Sequence, residues 1–261
     1  MPRAQRALDR VTQRRRPLST PNAGFQRRHV LISCEHASNR VPEELRNLGL
    51  AKRHLDDHIA WDRGAALIAR AVAARLGAPC HLGRWSRLVV DLNRSPEHPK
   101  LVAPVSFGVI IPGNQDVDAV EMARRVRRWW KPYRDRATAD VSRLIARHGR
   151  CLHLSIHSFT PVVAGVRRRA DIGILYDPAH AAARAFAKRL RSALAPSGLG
   201  IYMNEPYRGT SDGFTTSLHA RLPHSCYAAL ELETNQRLLR TPVAANRVAR
   251  SIADALATLL R

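Results

Sequence analysis

The stretch Val30-Leu31-Ile32-Ser33-Cys34-Glu35-His36 is a short apolar run that ends in two polar side chains. Such a run is typical of a strand that is buried inside a sheet. Similar runs occur at Leu152–Ile156, Asp171–Tyr176 and Ala228–Leu232, and a further one at Arg87–Leu92. The sequence therefore predicts several buried strands, with polar residues placed where the strands end.

Helical patterns separate these strands. The closing helix is the best marked, because Thr241 can cap it and Pro242 suits its first turn. Other helices are predicted at His58–Leu76, at 116–148 with a break at Pro132, and at Pro178–Leu194. Strands that alternate with helices predict an α/β fold, a three-layer α/β/α sandwich with a mixed, largely parallel sheet.

The charge balance is strongly basic, with 43 Lys and Arg against 21 Asp and Glu and a formal net charge of +22. Arginine-rich chains can bind nucleic acid by neutralising phosphates. Here the arginines are scattered along the predicted helices, and only 5% of the residues are aromatic, which argues against nucleic acid as the main partner. Residues 1–28, with eight arginines and one acid, are predicted to be a basic, flexible arm that precedes one domain over 29–261.

The cysteines and the apolar segments bear on the compartment. Cys34, Cys80, Cys151 and Cys226 lie far apart with no CxxC pair, which argues against a zinc ribbon and against a disulfide framework. No apolar run approaches the roughly 18 residues that a membrane span needs. The N-terminus also lacks the apolar region of a secretory signal. We expect a cytoplasmic protein with no membrane partner; its oligomeric state stays open.

Four groups of polar residues follow or end the predicted strands: Glu35-His36, Asn93-Arg94, His157 and Glu231. Sites in α/β sheets form outside the carboxyl ends of the strands, so these groups are expected to meet. Two histidines beside acids suit zinc, and Mn or Fe would accept the same ligands. An Asn-Arg pair can bind a carboxylate, and a glutamate can move a proton.

Ordinary structural roles are the alternative for these residues. Arg94 could be a buried ion-pair partner, and Glu231 could pair with one of the many arginines. The loop 204–209 is rich in polar groups and is expected either to cover a substrate, with Arg208 as a contact, or to be a plain connection.

Several ordered motifs together resemble the N-formylglutamate amidohydrolase family. They lie at 33–42, 58–65, 86–94, 156–159, 171–177, 204–209 and 230–233, so that the resemblance runs from about His29 to the last helix. That family is similar in turn to the zinc carboxypeptidases, which implies a zinc-exopeptidase-like fold of the phosphorylase/hydrolase-like type. It also implies that His36 and His157 hold a metal ion and that Glu231 is the general base. Asn93 and Arg94 would bind the substrate carboxylate, and Arg87 could steady the oxyanion.

The sequence departs from its relatives at the third ligand. In the carboxypeptidases a glutamate ligand follows the first histidine by three residues, and here that position is Asn39. We therefore assign the third ligand to Asp62, with Glu35 as the alternative. The sequence also has Glu35 before His36 and Glu233 after Leu232, where the better-known formylglutamate deformylases tend to carry proline and arginine.

The sequence thus predicts a metal-dependent amidohydrolase, with zinc as cofactor, that cleaves an N-acylated acidic amino acid such as N-formylglutamate. Two alternatives remain. One is a zinc exopeptidase that acts on peptides or cell-wall fragments. The other is a binding protein without turnover that docks to nucleic acid through its basic arm.

Overall fold

The computed structural model describes residues 24–261. Its strands are β1 (Val30–Cys34), β2 (Cys80–Leu82), β3 (Val105–Ser106), β4 (Val109–Ile110), β5 (Cys151–Phe159), β6 (Val162–Val163), β7 (Val166–Arg167), β8 (Ile172–Leu175), β9 (Ile201–Met203) and β10 (Tyr227–Asn235). Its α-helices are α1 (Lys52–Leu55), α2 (Ala65–Leu76), α3 (Ala119–Arg125), α4 (Lys131–His148), α5 (Ala181–Leu194), α6 (Phe214–His219) and α7 (Pro242–Leu259). A π-helical turn spans Val126–Trp130, and short 3-10 segments lie at Arg27–His29, Glu43–Gly49, Pro112–Asn114, Ala195–Ser197 and Gln236–Leu239.

The central sheet has the strand order β2-β1-β5-β10-β8-β9. The first four strands are parallel, β8 runs antiparallel to β10, and β9 runs parallel to β8. Helices cover both faces of this sheet, so the predicted sandwich with a mixed, largely parallel sheet is confirmed. No helix within residues 24–261 combines the length and the apolar composition needed to cross a bilayer.

The two faces of the sheet differ because side chains alternate along each strand. On one face, residues such as Ile32, Leu154 and Leu230 are fully buried and pack against α2, α5 and α7. On the other face, α4 covers a second apolar cluster that includes Leu31 and Ala229. Towards the carboxyl ends of the strands this second face becomes polar.

One predicted strand is wrong. The run Arg87–Leu92 is buried, but it forms turns, with the Val89 amide bonded to the Ser86 carbonyl at 3.0 Å. The Asp91 amide bonds to the Leu101 carbonyl at 2.8 Å instead of to a neighbouring strand. Its apolar side chains fill the second cluster, so the apolar pattern reported burial and not strand pairing.

Two helix boundaries also differ from the prediction. Helix α2 begins at Ala65, not at His58, because Gly64 takes the left-handed conformation at its start (φ 81°). Pro132 does not break the long helical segment, because it lies in the first turn of α4. The π-helical turn just before it joins α3 to α4 without interruption.

The predicted arm falls largely outside the described residues. Its last residues do contact the domain. The Arg27 amide bonds to the Leu260 carbonyl at 3.0 Å, and Phe25 packs edge-on against Phe186 in α5. All four cysteines are free thiols.

Candidate active site

Three predicted metal ligands meet at the carboxyl ends of β1 and β5. His36 follows β1, His157 lies near the end of β5, and Asp62 comes from the turns before α2. Among the described residues these three form a group whose candidate ligand atoms all lie within 4.8 Å of one another. All three side chains are buried.

His157 is held from both sides. Its Nδ1 lies 2.8 Å from Asp62 Oδ2, and its Nε2 lies 2.9 Å from Ser155 Oγ and 3.1 Å from Glu35 Oε2. The other oxygen of Glu35 accepts a hydrogen bond from the Tyr133 hydroxyl at 2.9 Å. Glu35 therefore contacts the Nε2 side of His157. Of the two candidates for the third ligand, only Asp62 has an oxygen on the Nδ1 side of the ring.

His36 has the same arrangement with a different carboxylate. Its Nε2 lies 2.6 Å from Asp91 Oδ1. Its Nδ1 is buried, has no hydrogen-bond partner among residues 24–261, and lies 3.4 Å from Asp62 Oδ2. Both histidines thus turn Nδ1 towards one oxygen of Asp62.

This donor set fits a divalent cation. Zinc prefers imidazole nitrogens together with a carboxylate, and a catalytic site uses three protein ligands. Histidine ligands almost always donate their second ring N–H to a carboxylate, carbonyl or water, as Asp91 and Glu35 allow here. The Nδ1 atom of His36 has no hydrogen-bond partner among the described residues, as expected of an atom that could coordinate a metal ion.

The histidines and acids of the cluster shift one another's pKa values. Burial would lower the pKa of His157, but its hydrogen bonds to Asp62 and Glu35 raise that pKa well above its usual value. Burial would raise the pKa of Asp62, yet the charge of His36 and the bond to His157 hold that pKa below its usual range. A metal ion needs neutral imidazoles, so its binding would release these protons.

Arg87 joins the two carboxylates that surround His36. Its Nη2 lies 3.1 Å from Asp91 Oδ2, and its Nη1 lies 3.4 Å from Asp62 Oδ1. Burial would lower the pKa of Arg87, but the charges of Asp91 and Asp62 raise it. The guanidinium thus remains charged and holds Asp62 from the side opposite to the histidines.

Asn93 and Arg94 are anchored to the start of α6. Asn93 Oδ1 accepts from the Phe214 amide at 2.8 Å, which leaves Asn93 Nδ2 without a partner among the described residues. Arg94 Nη1 donates to the Asp212 carbonyl at 3.0 Å. Both side chains are half-buried, and both keep N–H groups that could meet a carboxylate.

Strand β10 brings two glutamates to the polar face. Glu231 Oε1 accepts from the Thr215 hydroxyl at 2.9 Å, and Glu231 is paired with Ser155 of β5 in the sheet register. Glu233, two residues on, is paired with His157. Burial raises the pKa of Glu233 to about 8, and its Oε2 has no hydrogen-bond partner within residues 24–261. The two-residue spacing from Glu231 is the sequence signal that places Glu233 at the site.

The loop 204–209 carries Arg208, which was predicted to contact the substrate. The Arg208 side chain is exposed and makes no hydrogen bond to another described residue, so the structure does not bring it to the cluster. Its neighbour Tyr207 is 39% exposed. Arg168 donates to the Tyr207 hydroxyl at 2.9 Å.

Comparison with known proteins identifies the family. The family model of N-formylglutamate amidohydrolase matches residues 28–240. The chain belongs to this family. The resemblance read from the motifs is therefore confirmed, and the N-formylglutamate amidohydrolase family makes the chain a hydrolase.

Solved structures agree with the fold. A gene product from Agrobacterium tumefaciens is 31% identical, with a TM-score of 0.75 over 89% of this chain and 92% of that chain. An N-formylglutamate amidohydrolase from Ralstonia eutropha is 18% identical, with a TM-score of 0.66 over 92% of this chain and 94% of that chain. At that identity the second likeness concerns the fold alone. No curated protein matches the chain.

Proposed function

We propose that this member of the N-formylglutamate amidohydrolase family is metal-dependent and cleaves the amide of an N-acyl amino acid. His36, Asp62 and His157 would hold one zinc ion, and Mn or Fe would accept the same ligands. One observation carries the proposal. Two buried Nδ1 atoms face one carboxylate oxygen, while acids hold the far nitrogens of both rings.

When bound, the ion would act as a Lewis acid towards the amide carbonyl and lower the pKa of water to about 7. Glu231 is the general base of the proposal; it accepts a proton from the attacking water and delivers it to the leaving nitrogen. A carbon–oxygen bond forms and the carbon–nitrogen bond breaks, which gives a carboxylic acid and an amine. The Thr215 hydroxyl, which donates to Glu231 Oε1, fixes the direction of that carboxylate.

The arginines have two tasks in this proposal. Arg87 holds Asp62 and Asp91 and would offset the negative charge that develops on the carbonyl oxygen. Arg94 and Asn93 would bind the substrate carboxylate with their remaining N–H groups. Arg208 stays in the proposal as a contact to the outer part of the substrate, because its side chain is exposed in the polar loop 204–209.

The test measures metal content by plasma mass spectrometry on tag-free wild type, His157→Ala and a control, His224→Ala. His224 is exposed and lies outside the cluster. We expect about one zinc per chain in the wild type and the control, and none in His157→Ala. Absence of metal from the wild type after zinc has been supplied would contradict the proposal. Hydrolysis of N-formyl amino acids is then compared with hydrolysis of peptides, and a preference for peptides would assign the site to an exopeptidase.

A further inference from the structure

The residues proposed to bind the substrate carboxylate lie outside the sheet. Asn93 and Arg94 follow the buried segment 87–92, which forms turns and joins no sheet of the described residues. Glu231, by contrast, lies in β10 and is paired with both β5 and β8. The sheet therefore fixes the position of the proposed base, whereas Asn93 and Arg94 need support from elsewhere in the fold.

Two side chains of the long helical segment supply this support. Arg134 Nη1 donates to the Leu92 carbonyl at 3.0 Å. Trp130 Nε1 donates to the Arg94 carbonyl, also at 3.0 Å. The two donors are neighbours, because the guanidinium carbon of Arg134 lies 4.7 Å from the centroid of the Trp130 ring. Their acceptors lie on either side of Asn93 in the sequence, so two hydrogen bonds from one helical segment hold the backbone around this residue.

Arg134 also contacts α6, whose first residue holds the Asn93 side chain. Its Nη2 donates to Ser217 Oγ at 2.5 Å, and its guanidinium carbon lies 4.0 Å from the centroid of the Phe214 ring. The Phe214 amide in turn donates to Asn93 Oδ1 at 2.8 Å. One guanidinium therefore fixes both the segment before Asn93 and the helix to which the Asn93 side chain is bonded.

The geometry of these contacts, and not charge pairing, accounts for an arginine at position 134. Arg134 is 6% exposed, and its hydrogen-bond acceptors within residues 24–261 are a carbonyl and a hydroxyl, not a carboxylate. A buried polar group is costly unless its donors are bonded. The planar fork of arginine can donate to two separate acceptors at once, and the ammonium of lysine lacks that fixed geometry.

We propose that Arg134 and Trp130 are positioning residues for recognition of the substrate carboxylate. They hold Asn93 and Arg94 in the orientation in which both can bind it. The inference rests on the proposed function, in which Asn93 and Arg94 bind the carboxylate, and neither Arg134 nor Trp130 touches substrate. A displacement of about 1 Å at a binding group can cost about 100-fold in rate, so support of this kind decides how well the carboxylate is recognised.

The experiment compares three substrates on the zinc-loaded full chain. N-formylglutamate has two carboxylates, N-formylisoglutamine has an amide in place of the α-carboxylate, and N-formylglutamine has an amide in place of the side-chain carboxylate. We expect the wild-type kcat/KM to be about 10- to 100-fold lower for the amide that lacks the recognised carboxylate. That amide identifies the carboxylate that Asn93 and Arg94 bind.

Variants then assign the preference to the positioning residues. Arg134→Lys keeps the positive charge but loses the planar fork. It should lower kcat/KM for N-formylglutamate about 10- to 100-fold, mainly through a higher KM, and that for the poor amide by less than about threefold. Trp130→Phe keeps an aromatic ring but removes the donor to the Arg94 carbonyl, so it should weaken the preference about three- to tenfold.

The control is Arg125→Lys, the same change at a second buried arginine of this helical segment. Arg125 is 2% exposed and donates to Asn114 Oδ1 and to the carbonyls of Val89 and Gly113. Its substitution should lower the midpoint of urea unfolding, as Arg134→Lys does, but should keep the preference of the wild type. A role of Arg134 in stability alone would make the two variants behave alike.

Four outcomes would overturn the inference. Arg134→Lys could keep the preference of the wild type, or it could slow all three substrates equally, which would assign Arg134 to the fold or to the base. Arg125→Lys could lose the preference as well. Trp130→Phe, which decides the matter if Arg134→Lys does not fold, could keep the full preference. If the zinc-loaded wild type hydrolyses none of the three substrates, it is the proposed function that fails.

Discussion

The two faces of the central sheet are built from alternate residues of the same strands, yet they do different work. On the apolar face, Ile32, Leu154 and Leu230 are fully buried under helices α2, α5 and α7. On the polar face, their neighbours in sequence include Ser155, which donates to Glu35, and Glu231, which accepts from Thr215. Both faces are buried, so the difference lies in what each buried group contacts and not in exposure.

Adjacent residues of one strand therefore serve different purposes: one stabilises the fold, and the next takes part in the chemistry of the site. Buried apolar groups stabilise the fold through the area that they remove from water. Buried polar groups must find partners, and those at the carboxyl ends of the strands find them in one another. Substitutions on the apolar face should therefore change the free energy of unfolding, and substitutions on the polar face should change activity and metal affinity.

The strongest test of the polar face is Glu231→Gln. We expect kcat to fall about 10²- to 10⁴-fold, because the variant cannot accept the proton of the attacking water. Zinc content and the midpoint of urea unfolding should stay those of the wild type. Steady-state kinetics and metal analysis on the same preparation check this. Loss of zinc in the variant would make Glu231 a ligand instead of a base.

The matching test of the apolar face is Leu154→Ala, next to Ser155. Removal of a fully buried leucine side chain should lower the free energy of unfolding by about 2–5 kcal/mol. The kcat of the folded protein should hardly change, because Leu154 points away from the site. Urea unfolding and kinetics at a temperature where the variant is folded make the comparison. A large fall in kcat would mean that the two faces are not separable.

His153 sharpens the comparison, because it lies on the polar face but away from the metal cluster. It lies 2.8 Å from both Ser33 Oγ and the Tyr227 hydroxyl, and burial lowers its pKa to about 4. Below the unfolded pKa of about 6.5 the unfolded chain takes up a proton that the folded chain does not.

The free energy of unfolding should therefore fall by about 3 kcal/mol from this residue alone as the pH drops from about 6.5 to about 4. His153→Gln should remove that part of the pH dependence. Urea unfolding of both proteins at several pH values measures it, and equal slopes would show that His153 titrates normally in the folded protein.

The smallest expected effect concerns the support of His157. Glu35→Gln removes the negative charge next to His157 Nε2 but keeps a side chain of the same shape. Because this charge orients the ring and strengthens it as a ligand, zinc affinity should fall about 10- to 100-fold. Competition with a chelator measures this affinity. Glu43→Gln, at an exposed acid, is the control and should bind zinc as the wild type does. Unchanged affinity in Glu35→Gln would limit Glu35 to a structural role.

Four strands of the central sheet (β1, β5, β8 and β10) and the closing helix could be predicted because their patterns are local, whereas the three-residue strands β2 and β9 were not predicted. The run Val30–Cys34 became β1 with the predicted bounds, and the Thr241 side chain caps α7 by accepting from the Ala244 amide at 3.2 Å. Arg87–Leu92 shows the limit of this reasoning. An apolar run reports burial, and only contacts distant in sequence decide whether the buried segment pairs as a strand.

The site could likewise be predicted only where local patterns decide it, and not where contacts distant in sequence do. That His36 and His157 meet could be expected from strand ends, because parallel strands bring their carboxyl ends to one edge. That both rings present Nδ1 could not, since it depends on Asp91 and Glu35 at the other nitrogens.

Gly64 helps to fix the position of Asp62 relative to helix α2. Its left-handed conformation starts α2 two residues after Asp62, and a Cβ there would lie 2.8 Å from Leu239 Cδ1. A larger residue at position 64 would therefore displace α2 from its contact with Leu239. Because α2 is packed into the apolar layer, Asp62 is attached to a buried helix although it lies in a turn. The position of this carboxylate is thus set by a layer of the protein that never touches substrate.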